Sequence, residues 1–208
     1  KENTLCFKSE KYKHSYPHCW RTDMPILYYP LDSWFVKTTE HKERMLELNK
    51  TINWKPKSTG EGRFGNWLEN LVDWNLSRSR FWGTPLPIWL TDDRKEIKCI
   101  GSINELRNEV DKAVAKGFMS KTLEEDFDLH KPYVDQLILV SESGQKIYRE
   151  SDLIDVWFDS GAMPYAQHHY PFNMPDLEGR FPADFIAEGV DQTRGWFFTL
   201  HAIAVMLF

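Results

Sequence analysis

The stretch that decides the fold prediction reads Phe181-Pro182-Ala183-Asp184-Phe185-Ile186-Ala187-Glu188-Gly189-Val190-Asp191-Gln192-Thr193-Arg194-Gly195-Trp196-Phe197. The apolar run at residues 185–187 lies between Pro182 and Gly189, which is typical of a short strand buried on both faces. We expect Asp191 to cap a helix that follows. Its apolar stripe falls at Trp196, Phe197, Leu200, Ile203, Ala204 and Leu207. The pattern predicts a strand, a loop and a helix, and open α/β sheets bind ligands in the crevice beyond such a strand.

The loop after this strand carries the candidate binding residues. Gly189 would let backbone approach a ligand closely, because no Cβ intervenes. Ionised Glu188 and Asp191 only accept hydrogen bonds and suit an ammonium group or ribose hydroxyls, whereas Gln192 both donates and accepts. The N–H groups at the helix start favour an anionic or electron-rich group. The residues alone are equally compatible with a plain strand–turn–helix that has a capping Asp.

Two further motifs lie upstream, at residues 155–161 and 77–87. The first reads Asp155-Val156-Trp157-Phe158-Asp159-Ser160-Gly161, and the second reads Ser77-Arg78-Ser79-Arg80-Phe81-Trp82-Gly83-Thr84-Pro85-Leu86-Pro87. Trp157 is either a core residue or a pocket wall. Guanidinium groups match phosphates and indoles stack on bases, so Arg78, Arg80 and Trp82 are candidate RNA contacts. The alternative is a structural ion pair beside a packed Trp.

The three motifs resemble, in the same order, the S-R-x-R-x-W-G-x-P-x-P, D-V-W-F-D-S-G and E-G-x-D-Q-x-R-G-W-F motifs of class I isoleucyl-tRNA synthetases. The resemblance implies an enzyme that activates isoleucine with ATP and Mg²⁺ and transfers it to tRNA(Ile). It also implies that Glu188, Gly189, Asp191 and Gln192 surround the adenylate and that Trp157 lines the side-chain pocket. Arg78, Arg80 and Trp82 would then lie near the acceptor end of tRNA or brace the active site, and both alternatives stay open.

The same resemblance identifies motifs that this sequence does not contain. The family's H-I-G-H segment, K-M-S-K-S loop and editing residues are absent from the 208 residues. We therefore predict no catalytic residue in the chain, and we expect the isolated chain to form no adenylate. The chain looks like the part between the editing insertion and the K-M-S-K-S loop. The alternative is a non-catalytic tRNA- or protein-binding adaptor module derived from a synthetase.

The predicted fold class is α/β, part of a Rossmann-type catalytic domain (its second half) with an α+β connective insertion. Residues 1–89 would return the chain from the editing insertion and form a connective region. Residues 90–150 would form a small α+β insertion, with a hairpin around Ser143-Gly144 and a helix capped by Ser102 and Glu105. Residues 151–208 would hold the strand–loop–helix unit with the adenylate and isoleucine site.

Composition and the remaining motif limit cofactors and partners. His14, His18 and Cys19 are weak zinc candidates, but Thr22 stands where a C-x-x-C pair would place a second thiolate, so we predict no zinc or other metal site. A net charge of −5 argues against a strongly basic nucleic-acid surface and against DNA as a partner. No apolar run is long enough to span a bilayer. The 3 widely spaced cysteines predict reduced thiols and a cytoplasmic protein.

Overall fold

A computed structural model describes residues 7–208 of the chain. The chain divides into two compact units, Lys1–Asp32 and Ser33–Phe208. Residues 1–6 of the predicted 1–89 segment lie outside the described residues. In the first unit, a turn brings the backbone N–H of Cys19 to the carbonyl of Met24 at 2.8 Å, and an isolated bridge pairs His18 with Pro25.

The second unit combines short strands and helices. The strands are β1 (Phe35–Val36), β2 (Trp74–Asn75), β3 (Ser77–Arg78), β4 (Ile88–Leu90), β5 (Ile97–Cys99), β6 (Ile138–Val140), β7 (Lys146–Arg149) and β8 (Leu153–Ile154). The helices are α1 (Lys42–Asn49), α2 (Gly65–Glu69), α3 (Ile103–Ala115), α4 (Val156–Ala166), α5 (Met174–Leu177) and α6 (Trp196–Leu207). Short 3-10 turns cover Thr38–His41, Val134–Gln136 and Val190–Arg194, and a π-helical turn covers Thr59–Phe64.

A four-stranded antiparallel sheet, in the order β5-β4-β7-β6, packs against α3. The predicted hairpin is confirmed, because β6 and β7 pair in register with Leu139 opposite Ile147. The predicted helix cap is also confirmed: the amide of Glu105 donates to the hydroxyl of Ser102 at 3.1 Å. The core between the sheet and α3 contains Trp89, Ile100, Leu106, Val110, Val134, Leu137, Leu139 and Ile147.

Two further apolar clusters hold the helices together. One joins α1, α2 and α6 through Met45, Phe64, Leu68, Leu71, Phe198 and Ala202. The other lies beside α4 and α6 and contains Trp74, Tyr165, Leu177 and Ile203. The two-stranded ladders β1–β2 and β3–β8 run antiparallel, and β8 leads directly into α4. This arrangement brings the start of α4 beside the turn that precedes α6.

The predicted strand at residues 185–187 is not formed. These residues have no ladder partner, and the side chain of Phe185 is 83% exposed. A strand covered on both faces needs neighbouring strands to satisfy its N–H and C=O groups, and no strand within residues 7–208 pairs with it. Every ladder in this part of the chain is antiparallel.

The predicted start of the last helix is also wrong. Asp191 lies inside the 3-10 turn Val190–Arg194, and α6 begins only at Trp196 because Gly195, at φ −145° and ψ −114°, interrupts the helical backbone. The side chain of Gln192 accepts from the first amide of α6, that of Trp196, at 3.1 Å. The buried face of α6 consists of Phe198, Thr199, Ala202 and Ile203, so the predicted stripe is partly displaced.

Candidate functional site: the loop before α6 and the first turn of α4

The loop at residues 188–192 folds back on itself, with residues 188–191 exposed and Gln192 half-buried. A Cβ at Gly189 would lie 2.5 Å from the Oδ1 atom of Asp191, so a larger residue at this position would make the exposed carboxylate of Asp191 shift. The Oδ2 atom of Asp191 accepts from the side-chain amide of Gln192 at 3.0 Å. Glu188 is exposed and has no hydrogen bond or ion pair among the described residues. The loop therefore presents two carboxylates and one oriented amide.

Trp157 and Gln192 converge at Gly195. A Cβ at Gly195 would lie 3.1 Å from Oε1 of Gln192 and 3.3 Å from Cη2 of Trp157. The amide of Gln192 is oriented by its bonds to Asp191 and to the backbone of Trp196. The indole of Trp157 remains 41% exposed. The structure thus brings the partly exposed indole of Trp157 and the oriented amide of Gln192 together.

Three hydrogen bonds that the sequence did not reveal hold the turn before α6. The indole N–H of Trp196 donates to the carbonyl of Ser160 on α4 at 2.9 Å. The fully buried Thr193 donates to the carbonyl of Val190 at 2.7 Å and accepts from Nε of Arg63 at 3.0 Å. Buried polar groups with such partners stabilise one geometry, so the loop is anchored from both sides.

Asp155 is a buried residue beside the candidate site that the sequence reading did not single out. It caps α4 and is only 4% exposed. Its carboxylate accepts from the backbone of Trp157 at 3.2 Å, the indole of Trp74 at 3.0 Å and the guanidinium of Arg78 at 2.8 Å. An Asp directly before a helical run is a local cap signal that could have identified it.

Asp159, one turn along α4, also lies close to this carboxylate. Burial raises the pKa of Asp159; the hydroxyl of Thr84, which donates to it at 3.2 Å, opposes the rise, and the nearby charge of Asp155 adds to it. A carboxyl group with a raised pKa beside a candidate pocket is compatible with binding and with packing.

Arg78, Arg80 and Trp82 do not converge on one surface. The guanidinium of Arg78 pairs with the buried carboxylate of Asp155 at 2.8 Å, which is the geometry of the bracing alternative, and the Arg78 side chain remains 39% exposed. Arg80 is exposed, and Trp82 is 71% exposed and stacks on His130 with ring centroids 4.8 Å apart. Contact with an RNA chain stays a prediction for all three residues.

The zinc candidates lie in the first unit and make local contacts. The Nδ1 atom of His14 is 2.8 Å from the carbonyl of Ser15, and that of His18 is 2.9 Å from the carbonyl of Tyr16. The hydroxyl of Thr22 bonds the Cys19 sulfur and, with backbone amides, lowers the pKa of that thiol. Residues 7–208 contain no group of three or more His, Cys, Asp or Glu side chains able to hold a metal ion. The absence of zinc stays a prediction.

Comparison with known proteins identifies the class to which this arrangement belongs. The family described as tRNA synthetases class I (I, L, M and V) matches residues 8–208, so the chain belongs to that family.

The similar proteins narrow the resemblance to one member of the class. The chain is 70% identical over 209 residues to the isoleucine–tRNA ligase of Cytophaga hutchinsonii, with 100% of the chain covered. It is 66% identical over 226 residues to that of Bacteroides thetaiotaomicron, again with 100% covered, and 52% identical over 205 residues to that of Thermus thermophilus, with 98% covered. The chain spans 19% of the length of each of these relatives. The resemblance to isoleucyl-tRNA synthetases is confirmed.

None of the helices described between residues 7 and 208 is long and apolar enough to cross a membrane.

Proposed function

We propose that the chain is part of a cytoplasmic isoleucine–tRNA ligase and forms part of its pocket for isoleucine and the adenylate. The observation that carries this proposal is the convergence of Trp157 and Gln192 at Gly195, beside the exposed carboxylates of Glu188 and Asp191. The names of the relatives favour this function over an adaptor module.

In such a ligase the isoleucine carboxylate attacks the α-phosphorus of ATP in line, and pyrophosphate leaves. The 2′- or 3′-hydroxyl of the tRNA end then attacks the acyl carbon, and AMP leaves. Both steps depend on holding the reacting atoms in a near-attack geometry and on stabilising phosphate charge. The residues described here would contribute to the near-attack geometry, by holding isoleucine and the adenylate in place.

Each loop residue has a role that suits its chemistry. Glu188, which has no partner among the described residues, is free to accept from the ammonium of isoleucine or from ribose hydroxyls. Asp191 and Gln192 hold each other and present an amide to the adenylate. The indole of Trp157 forms a rigid wall for the aliphatic side chain.

We assign the phosphate chemistry to other parts of the longer protein. The H-I-G-H and K-M-S-K-S motifs are not in the 208 residues, and no metal-holding group is gathered within residues 7–208, so we place no Mg²⁺ ligand here. We further propose that residues 185–187 complete a Rossmann-type parallel sheet when neighbouring strands of the longer protein are present. The apolar side chains of these residues and their lack of a ladder partner among residues 7–208 support that assignment.

The test is pyrophosphate exchange by the full-length protein with isoleucine and with valine. We expect Glu188→Ala to lower kcat/KM for both amino acids by the same factor, about 5- to 150-fold, since a hydrogen-bonding group left unpaired in a closed site costs about 1–3 kcal/mol. Glu142→Ala, which removes an exposed carboxylate from the hairpin turn, is the matched control. Exchange by Glu188→Ala equal to that of the control would rule out this role.

A further inference from the structure

The buried carboxylate of Asp155 links three parts of the second unit. Its Oδ2 atom accepts from the indole of Trp74 at 3.0 Å and from Nη2 of Arg78 at 2.8 Å. Its Oδ1 atom accepts from the backbone N–H of Trp157 at 3.2 Å. A buried carboxylate needs charged or hydrogen-bonding partners to remain ionised. Arg78 is the cation that this carboxylate meets, so the position of Asp155 depends on that guanidinium.

Arg78 is itself held in place by the backbone of its own segment. Its Nη1 atom donates to the carbonyl of Asn75 at 2.9 Å and to that of Ser77 at 2.8 Å. The strand β3 pairs with β8, and the amide of Asp155 donates to the carbonyl of Leu76 at 2.7 Å. The planar fork of a guanidinium holds several acceptors in fixed directions. Arg78 therefore links β3 to the start of α4, in addition to this backbone pairing.

The contacts that run from Arg78 through Asp155 end at the indole of Trp157. Trp157 is the second residue of α4, and its backbone N–H is the one that the Asp155 cap accepts. Its ring reaches the turn before α6, where Cη2 and Cζ3 would lie 3.3 and 3.6 Å from a Cβ at Gly195. Any shift of the first turn of α4 moves this ring relative to Gln192. Small displacements of a positioning group change reactivity strongly.

We infer that Arg78 is a positioning residue for amino-acid selection. Through the buried carboxylate of Asp155 it fixes the first turn of α4 and thus the wall that Trp157 presents to the aliphatic side chain. The inference rests on the proposed function for the pocket role of Trp157, and it assigns Arg78 to the pocket rather than to tRNA.

The test uses the full-length protein with Arg78→Met, Arg78→Lys and Asp155→Asn. Arg78→Met removes the guanidinium and its ion pair but keeps an unbranched apolar side chain. Asp155→Asn keeps a capping oxygen for the amide of Trp157 but removes the negative charge. Arg44→Met is the control, because Arg44 forms an exposed ion pair with Glu47 on α1, 2.9 Å long.

The first readout is the ratio of kcat/KM for isoleucine to that for valine in pyrophosphate exchange. A purely structural loss lowers both values equally, whereas a displaced wall changes the ratio. We expect Arg78→Met to reduce the ratio by about 3- to 30-fold, Arg78→Lys and Asp155→Asn to reduce it less, and Arg44→Met to leave it unchanged. An unchanged ratio in Arg78→Met, or in Arg78→Lys and Asp155→Asn should Arg78→Met not fold, overturns the inference.

The second readout does not depend on the enzymatic function. We expect the backbone amide of Trp157 to exchange with deuterium about tenfold faster in Arg78→Met than in the parent, since its acceptor is no longer held. Unchanged exchange overturns the inference whatever the protein activates. If the Trp157 amide exchanges faster in Arg78→Met than in the parent, but the parent activates no isoleucine, the linkage through Asp155 is supported. The proposed function is then contradicted instead.

Discussion

Gly161 lies where α4 passes closest to α6, and replacing it with Ala tests the packing that positions the site. A Cβ at Gly161 would lie 2.8 Å from both Cβ and Oγ1 of Thr199 and 3.0 Å from Cδ1 of Ile203. The hydroxyl of Thr199 donates to the carbonyl of Trp196 at 3.0 Å, so its side chain is held in one rotamer and cannot turn away without losing that bond. The added methyl group must therefore push the two helices apart.

Two opposing effects set the change in the free energy of unfolding that Gly161→Ala causes. Ala in place of Gly inside a helix stabilises by about 1 kcal/mol. Overpacking a well-packed interface costs about 1–3 kcal/mol, and the upper half of that range applies because the contacts include the rigid Cβ of Thr199. The expected net loss is about 1–2 kcal/mol, or a decrease of roughly 2–8 °C in Tm for a chain of this size. Separation of the helices would also lengthen the 2.9 Å bond from the indole of Trp196 to the carbonyl of Ser160.

Urea and thermal unfolding of Gly161→Ala, beside Gly62→Ala as control, measure this effect. A Cβ at Gly62 meets no atom within 4 Å, so that variant should be neutral or stabilised by up to about 1 kcal/mol. If Gly161→Ala is as stable as Gly62→Ala, the close contact between α4 and α6 does not exist and the placement of Trp157 beside Gly195 loses its support.

Two further predictions concern buried ionisable groups. The side chain of Arg149 is fully buried, pairs with Asp135 and donates to the carbonyls of Leu86 and Asp152. Arg149→Met should lower the free energy of unfolding in urea by about 3–5 kcal/mol, because it leaves a buried charge unpaired. A loss below about 1 kcal/mol would show that the ion pair is not formed. Burial lowers the pKa of His201, although its Nε2–H bond to the carbonyl of Met45 opposes that effect. Because the unfolded chain then binds the proton more readily, the stability from neutral His201 is present above the unfolded pKa of about 6.5 and is lost as pH falls through the folded pKa. The free energy of unfolding should therefore decrease more between about pH 7 and pH 5 in the parent than in His201→Gln, and equal slopes would count against a buried neutral imidazole.

Local signals in the sequence predicted local structure. The hairpin at Ser143-Gly144 and the cap of α3 formed as expected, because turn and capping preferences depend on residues within a few positions of each other. The strand at residues 185–187 failed because a strand depends on partners elsewhere in the chain, and none pairs with it here.

The site was only partly predictable for the same reason. The ion pair between Arg78 and Asp155 joins residues 77 positions apart, so no spacing rule could have found it. Trp157 and Gln192 were placed together only by the resemblance of two separate motifs, and the geometry at Gly195 now gives that placement a physical basis. The late start of α6 depended on the backbone of Gly195, which the apolar pattern does not encode.

The most direct test of the central claim is the selectivity of Trp157→Ala in the full-length protein, measured as isoleucine- and valine-dependent pyrophosphate exchange. An apolar wall discriminates one methylene by about 1–3 kcal/mol, a figure established for isoleucine against valine in this enzyme family rather than calculated from this structure. If Trp157 is that wall, the isoleucine-to-valine ratio of kcat/KM should fall by about 5-fold or more, while Glu188→Ala leaves the ratio unchanged. If Trp157→Ala lowers both activities equally and keeps the ratio of the parent, Trp157 is a packing residue and this chain does not form the side-chain pocket proposed for it.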